Sequence, residues 1–132
     1  MVYEEICIYE MLERSAHDLP NHTAVICQDY QVSYQELIEM VYRFATCLKG
    51  LGVETGDRVA VVLLNCIQAV VSYYAILELG AIAVMNNPVY SDSELQYQFT
   101  DSGSKVLICL DALLERMEFC RDQLAKEMAY GN

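Results

Sequence analysis

The sequence predicts an α/β fold: a three-layer, doubly wound and mostly parallel sheet, preceded by an N-terminal helix and a short hairpin. From residue 58 onward, three short apolar runs alternate with three longer segments whose apolar residues have helical spacing. Continuous apolar runs are typical of parallel strands covered on both faces. The intervening loops are short, which favours right-handed crossovers within one sheet. We therefore expect a single domain over residues 1–132, without an internal linker or repeat.

The first predicted element is an amphipathic helix over residues 3–17. Its apolar side chains recur at spacings of three and four, and acidic side chains cover the opposite face. The helix ends before Pro20, because proline disfavours helical backbone at the residue that precedes it. Residues 23–27 predict a short strand, and a turn at residues 29–30 allows residues 31–32 to pair with it as a hairpin.

A capping box predicts where the second helix begins. In SYQE, residues 33–36, the serine hydroxyl can accept from the fourth amide, and the glutamate can reach back to the serine amide. The glycines Gly50 and Gly52 predict a left-handed end to this helix. Its apolar stripe has alternating spacings of four and three, at Leu37, Val41, Phe44, Leu48 and Leu51.

Two buried strands and an apolar helix are expected next. Residues 58–64 predict the first strand, and Asn65 can cap the helix predicted over residues 66–79. This helix is apolar almost all round, so we expect it to be deeply buried. Gly80 ends it, and residues 81–85 predict the second strand.

The last part of the chain repeats the pattern. A turn over residues 86–88 leads to a second capping box, SDSE at residues 91–94, and to a short helix that Gly103 closes. Residues 106–110 predict the third buried strand. Residues 111–128 predict a final helix with one apolar face, formed by Leu114, Met117, Cys120, Leu124 and Met128.

Composition excludes several classes of function. Apolar residues make up 55% of the chain and charged residues 20%, which is not typical of a disordered chain. The formal net charge of −11 disfavours nucleic-acid and anionic-lipid partners. The most apolar stretch, residues 59–85, is interrupted by polar residues, so we expect no membrane span. The acidic beginning, MVYEE, lacks the basic residues of a signal peptide, and we expect a cytoplasmic protein.

The cysteines and histidines do not predict a metal site. The six cysteines are scattered without a C-x-x-C pair, and each lies in an apolar pattern. We expect them to be small buried hydrophobic residues rather than ligands, disulfide partners or nucleophiles. His17 and His22 lie near no cysteine pair, which favours solvated or capping roles.

Two segments have the composition of a phosphate loop but the wrong position. GLGVETG, residues 50–56, and DSGSK, residues 101–105, each follow a predicted helix and precede a predicted strand. Dinucleotide binding needs the reverse order, a strand, a tight turn and then a helix N-terminus. We therefore expect both segments to be helix ends and turns.

Ligands of doubly wound sheets bind beyond the carboxyl ends of the strands, so a site would lie after Leu64, Met85 and Leu110. Asn86 and Asn87 could hydrogen-bond a ligand there, although asparagine at such a turn ordinarily serves backbone geometry. Neighbouring carboxylates lie at helix starts, where they complement the helix dipole. We predict no catalytic, cofactor-binding or metal-binding residue in this chain.

Six segments together resemble a known family. They are TAVI (23–26), VSYQEL (32–37), LGVETGDRVAV (51–61), AILELGAIA (75–83), NPVY (87–90) and SELQYQFTDSGSKVLI (93–108). Their order and spacing resemble the N-terminal portion of the adenylate-forming superfamily, which includes AMP-forming acyl-CoA synthetases, and most of all its medium- and long-chain fatty acyl-CoA ligases. Glu78 departs from the pattern, since the family often has a lysine or a neutral residue there.

The resemblance implies a parent reaction. A carboxylate and ATP give an acyl-adenylate and pyrophosphate, and the thiol of CoA then displaces AMP. It implies ATP, Mg²⁺ and CoA for the whole enzyme but none for this chain, because the family's phosphate loop, nucleotide contacts and catalytic lysine lie downstream of the matched residues. It also implies an apolar face that packs on a downstream subdomain or mediates self-association, which would explain the high apolar fraction.

Three functions remain open at this point. The first is the N-terminal portion of an AMP-forming acyl-CoA synthetase, without activity of its own. The second is a free-standing interaction module that docks on a synthetase or another protein. The third is a small flavodoxin-like ligand-binding domain that uses the turns at the carboxyl ends of the strands.

Overall fold

The computed structural model describes residues 5–130, and the side chains of residues 5–123. The N-terminal part comprises helix α1 (Ile8–Asp18), strands β1 (Thr23–Cys27) and β2 (Tyr30–Ser33), and helix α2 (Tyr34–Gly50). The remainder alternates strand and helix: β3 (Arg58–Val62), α3 (Ile67–Glu78), β4 (Ile82–Asn86), α4 (Asp92–Ser102), β5 (Val106–Cys109), a 3-10 turn (Asp111–Leu113) and α5 (Leu114–Tyr130).

The sheet that organises the described residues is parallel, as predicted. Strand β3 lies in the centre of three, in the order β4-β3-β5, and Val59 pairs with both Ala83 and Val106. Strands β1 and β2 form a separate antiparallel pair, which is the predicted hairpin.

Helices cover both faces of the three-stranded sheet, which confirms the three-layer arrangement. Because side chains alternate along a strand, Val59 and Val61 face the core shared with α1, α2 and α3. Val62 faces the opposite side, where it packs with Leu95 of α4 and Met117 of α5. Both cores are made of apolar side chains, and the central strand is buried from Val59 to Val62.

The outer elements are less buried than expected. In β4, the side chains of Ile82 and Met85 are 51% and 52% exposed. Among the described strands β4 pairs only with β3, so one of its edges is open and the expectation of a buried strand was wrong. Helix α3 was also expected to be deeply buried, but only Ser72, Ala75 and Ile76 are buried. Its other side chains are half-buried, and Gln68 is exposed, because only one face of the helix packs on the core.

The boundaries of several elements differ from the prediction. Helix α1 begins at Ile8, whereas residues 3 and 4 of the predicted helix lie outside the described residues. The hairpin turns at Gln28 and Asp29, with Gln28 in the left-handed region at φ 55°. Asn65 does not cap α3; the N-cap is Cys66, without a side-chain hydrogen bond.

The two capping boxes have different outcomes. At Ser91 both bonds form, since its hydroxyl accepts from the Glu94 amide and its amide donates to the Glu94 carboxylate. At Ser33 the hydroxyl accepts from the Glu36 amide, but the Glu36 carboxylate accepts from that hydroxyl rather than from the serine amide. The second predicted box is therefore complete and the first is half formed.

The helix ends show which apolar positions were misjudged. Gly103 has the predicted left-handed conformation at φ 64°, whereas Gly50 belongs to α2 and Gly52 supplies the left-handed residue after it. Leu51 therefore lies past the apolar stripe and is exposed. On α5, Met117 and Cys120 are buried and Leu114 is half exposed, and the side chains at positions 124 and 128 lie outside those described.

Candidate functional site

The amino-terminal edge of the sheet is held by cationic side chains that bond to the backbone. The Lys105 ammonium donates to the Gly52 carbonyl at 2.7 Å and contacts the Asp57 carboxylate at 3.2 Å. The Arg58 guanidinium donates to the Ser102 carbonyl at 2.8 Å. We call this set, Asp57, Arg58 and Lys105 with their partners, the amino-edge lock.

The electrostatics of the lock agree with its geometry. The backbone amide of Glu54 donates to the Asp57 carboxylate at 2.7 Å. That bond, followed by the bond from Lys105, holds the pKa of Asp57 below its ordinary value. The carboxylate is thus stabilised as an anion by groups of the chain itself.

The two segments with phosphate-loop composition both belong to this lock. They lie between a helix end and a strand start, as predicted. Lys105 is committed to protein oxygens. A Cβ atom built on Gly103 would lie 2.8 Å from the Arg58 guanidinium, so backbone and side chain already fill this corner. Neither segment has the geometry of a phosphate site.

At the carboxyl edge, a clasp around Arg116 organises the loop that follows β4. The guanidinium of Arg116, from α5, donates to the Asp92 carboxylate and to the carbonyl oxygens of Pro88 and Tyr90. Within the loop, the Asn87 side chain accepts from the Val89 amide at 3.0 Å. Asn87 therefore serves backbone geometry, and Arg116 fixes the loop against the last helix.

Asn86 is the most buried polar residue at this edge. It is 6% exposed, and its amide nitrogen donates to the Val84 carbonyl at 2.8 Å. Its side-chain oxygen has no hydrogen-bond partner among the described residues. In register it lies beside Val62, so it points towards the α4 side of the sheet. One uncharged acceptor cannot hold a triphosphate, which requires cations and several donors.

The histidines are not brought together with a nucleophile or with ligands. His17 is exposed, and its ring contacts the neighbouring Asp18 carboxylate at 3.0 Å. His22 lies in the turn between α1 and β1, and its carbonyl accepts from the Tyr34 amide at 3.0 Å. In the described part of the chain, no group of three or more histidine, cysteine, aspartate or glutamate side chains could hold a metal ion.

The cysteines divide into two groups. Cys120 is fully buried, and burial raises the pKa of its thiol. Burial, with the charge of Asp111, also raises the pKa of Cys109, so both are protonated structural thiols. Cys7 and Cys47 are exposed, contrary to the prediction, because Cys7 precedes α1 and Cys47 lies outside the apolar stripe of α2.

Two apolar grooves lie on the surface of the described residues. The hairpin groove, of about 590 Å³, lies between the hairpin, α3 and the open edge of β4 and is lined by Leu12, Val25, Tyr34, Val70, Tyr73 and Met85. The β5 groove, of about 520 Å³, lies between β5, α4 and α5 and is lined by Phe99, Val106, Leu107, Leu114, Met117 and Arg121. Apolar concavities of this size are typical of docking or ligand surfaces.

The sequence indicated an apolar surface but not its location. The all-round apolar pattern of residues 66–79 was interpreted as burial within this chain. In the structure that helix lines the hairpin groove with the half-buried side chains of Val70, Tyr73 and Tyr74. No helix among the described residues combines the length and the apolar character that a membrane crossing requires.

The groups that ATP and Mg²⁺ require are not assembled by the described residues. Lys105, the lysine nearest to a glycine-rich turn, is bonded to protein oxygens. At the carboxyl edge, Arg116 is bonded to the loop after β4, and the side-chain oxygen of Asn86 is buried without a partner among the described residues. Nothing in this arrangement provides a nucleophile, a general base or a phosphate cradle. The geometry supports a scaffold with docking surfaces.

Comparisons with known proteins agree with this architecture. A long-chain-fatty-acid–CoA ligase of Bacillus subtilis is 37% identical over 109 residues, which are 83% of this chain and 20% of the ligase. The structure of the anthranilate CoA ligase AuaEII with anthranoyl-AMP superposes with a TM-score of 0.83 at 31% identity, over 88% of this chain and 22% of that one.

The N-terminal domain of FACL13 from Mycobacterium tuberculosis, in an inhibitor-bound structure, superposes with a TM-score of 0.81 at 30% identity. That match covers 86% of this chain and 29% of the solved chain. The chain spans about a fifth of the length of the curated relatives it matches, and it corresponds to their N-terminal part. Because the family model described as "AMP-binding enzyme" also matches residues 12–130, the chain belongs to the AMP-binding family of adenylate-forming enzymes.

Proposed function

We propose that residues 1–132 form the N-terminal subdomain of an AMP-forming acyl-CoA ligase and have no adenylating activity alone. The parent reaction joins a fatty acid to CoA through an acyl-adenylate, with release of pyrophosphate and AMP. The similarity to long-chain-fatty-acid–CoA ligases supports this substrate class. ATP, Mg²⁺ and CoA would be bound by other parts of the enzyme.

The observation that carries this proposal is the carboxyl edge of the sheet. Ligands of doubly wound sheets bind there, but the loop after β4 is closed on itself by Arg116. The polar atom left over at this edge is the buried Asn86 oxygen. The described residues thus supply a framework, and no groups that would act on a nucleotide are assembled among them.

The two apolar grooves are the proposed sites where the downstream part of the ligase packs. Both lie at open edges of the three-stranded sheet, next to β4 and β5. Contact there would bury the exposed side chains of Met85 and Leu114, and burial of apolar area stabilises by about 25 cal/mol per Å². The cytoplasmic location is part of the same proposal, and it agrees with six thiols that form no disulfide.

ATP–pyrophosphate exchange with a panel of fatty acids tests the proposal. We expect no exchange from the purified chain. We expect exchange from a chimera in which this chain replaces the matching segment of the Bacillus subtilis ligase, with the unmodified ligase as the control. Exchange by the chain alone would contradict the proposal, and a folded but inactive chimera would show that the scaffolds are not equivalent.

A second candidate is a free-standing docking module, which the same exposed grooves favour. In this case the grooves would bind another protein or a second copy of the chain. Sedimentation velocity over a range of concentrations separates these outcomes: a concentration-dependent dimer supports self-association, and a strict monomer excludes it. Co-purification of one stoichiometric partner from the native host would favour the module over the subdomain.

A further inference from the structure

Two cysteines line one cavity where the hairpin packs against the start of α3. We call them the thiol pair: Cys27, the last residue of β1, and Cys66, the N-cap of α3. Both are free and half-buried, and the cavity they share has a volume of about 320 Å³. The fold therefore brings two accessible thiols together that are far apart in the sequence.

The Cys27 thiol is directed at the residue that precedes Cys66. It donates to the Asn65 carbonyl oxygen, with 3.9 Å between sulfur and oxygen. Because a planar trans peptide holds a carbonyl oxygen about 3 Å from the next Cα atom, the Cys27 sulfur lies within about 7 Å of the Cys66 Cα atom. Disulfide-bonded residues have Cα atoms about 4.4–6.8 Å apart. A bridge is thus within reach of side-chain rotation and a shift of the hairpin end.

The two side chains are weakly held in their present positions. The Cys66 thiol makes no capping hydrogen bond to α3, and a thiol such as that of Cys27 is a weak donor. Among the described strands β1 pairs only with β2. Tyr30, which pairs with Cys27 across the turn, is 73% exposed. The end of the hairpin that carries Cys27 is therefore the part that can move towards α3.

The other cysteines lie elsewhere in the fold. Cys109 and Cys120 belong to the opposite side of the sheet, on β5 and α5, and burial raises the pKa of both thiols. Cys7 precedes α1, and Cys47 is exposed on α2. Exposed Cys47 provides a thiol that is open to solvent and lies outside the cavity of the pair.

We propose that the thiol pair is an oxidation site, at which hydrogen peroxide converts Cys27 and Cys66 into a disulfide. One thiol loses its proton and its sulfur attacks the peroxide: a sulfur–oxygen bond forms, the oxygen–oxygen bond breaks, and hydroxide takes up a proton and leaves as water. The second sulfur then displaces the sulfenic hydroxyl, which leaves as water with the second thiol proton. The two sulfurs lose two electrons, and the peroxide gains them.

The disulfide would act on the hairpin groove. The cavity of the pair shares Val25, Ile26, Ala69 and Val70 with that groove, so the bridge ties the two walls of the groove together at one end. Cytosolic disulfides are usually transient and redox-sensing. Under the proposed function, packing of the downstream part of the ligase becomes sensitive to oxidation, whereas the oxidation itself does not depend on that function.

Peptide mapping by mass spectrometry, before and after treatment of the reduced chain with limiting hydrogen peroxide, tests the proposal. We expect one dominant cross-linked peptide pair that contains Cys27 and Cys66 and disappears on reduction with dithiothreitol. The urea midpoint of the oxidised chain should be higher than that of the reduced chain, because the bridge restricts the unfolded state. Hydrogen exchange should slow in β1 and in the first turn of α3.

The mapping uses the unmodified chain, and three serine variants serve as controls. Cys27→Ser and Cys66→Ser should each abolish the cross-link and the oxidation-induced shift of the midpoint, whereas Cys47→Ser should keep both. Stable sulfenic or sulfonic acids on the pair without a cross-link, or bridges from Cys27 and Cys66 to other cysteines in equal yield, would overturn the proposal. Since these readouts are chemical, their failure is separate from the outcome of the pyrophosphate exchange experiment.

Discussion

The amino-terminal edge of the three-stranded sheet and its open sides are built from different chemistry. At the amino-terminal edge, the two cations of the lock, Lys105 and Arg58, donate to backbone oxygens at distances near 2.8 Å and fill the corner. Along the outer edges of β4 and β5, apolar side chains such as Met85 and Leu114 are half exposed beside grooves. The polar groups of the amino-terminal edge are bonded within the chain, whereas the outer edges of β4 and β5 leave apolar side chains exposed.

Under the proposed function, the first region is scaffold and the second is where the downstream part of the ligase packs. Backbone groups that are satisfied internally need no partner. Exposed apolar grooves beside unpaired strand edges are the surfaces where other protein segments bind. The match covers about a fifth of the length of the curated relatives, so those relatives have further chain that could cover such surfaces.

The largest expected effect contrasts a buried with an exposed apolar residue. Leu95 is 0% exposed between β3 and α5, so Leu95→Ala should destabilise the chain by about 2–5 kcal/mol. Met85→Ala, at the open edge, should change the free energy of unfolding by less than about 0.5 kcal/mol. Urea unfolding followed by circular dichroism measures both. Equal costs would show that the β4 edge is buried in solution.

A pair of glycines tests the amino-edge lock. Gly103→Ala places a Cβ atom against Arg58 at a residue with φ 64°, and should cost about 1–2 kcal/mol or more. Gly50→Ala, in the last turn of α2 with open space around it, should stabilise by about 0.5–1 kcal/mol. Thermal unfolding of the two variants should therefore shift in opposite directions, and a shift in the same direction would contradict this description of the lock.

The complete capping box tests the start of α4 at the carboxyl edge. Ser91→Ala removes the acceptor for the Glu94 amide and should cost about 1 kcal/mol. The half-formed box offers the comparison, because Ser33→Ala removes a similar bond at the start of α2. Hydrogen exchange should show the loss confined to the first turn of each helix. A global loss of protection without local fraying would count against this interpretation.

The smallest expected effect is the acid sensitivity of the lock. The pKa of Asp57 is lowered on folding, so its contribution is present above the ordinary value and is lost as the pH falls through the folded-state value. Asp57→Asn should lower the urea midpoint near neutral pH and flatten its decline in acid. The effect is small because the carboxylate is open to solvent. If the urea midpoint of Asp57→Asn declined in acid as steeply as that of the wild type, Asp57 would not contribute to the lock.

The sequence predicted the elements that local chemistry specifies. The valine-rich run of β3, the box at Ser91 and the end at Gly103 each follow from spacing or from a single side chain, and all three occur in the structure. The errors concern partners that are distant in sequence. Nothing in residues 66–79 distinguishes burial within this chain from a face that is left open.

In the candidate site, too, local features were predictable and contacts between residues distant in sequence were not. The wrong order of helix and strand around residues 50–56 excluded a phosphate loop, and the structure has a turn there. The clasp made by Arg116 could not be predicted, because it joins α5 to a loop about 26 residues earlier through backbone carbonyls.

Titration of the ¹⁵N-labelled chain with Mg-ATP, followed by amide chemical shifts, tests the central claim most directly. A scaffold without a phosphate cradle should show no saturable shift at the residues that follow β3, β4 and β5, up to millimolar nucleotide. Saturable shifts confined to those three strand ends would contradict the account, because they would place a nucleotide site within this chain.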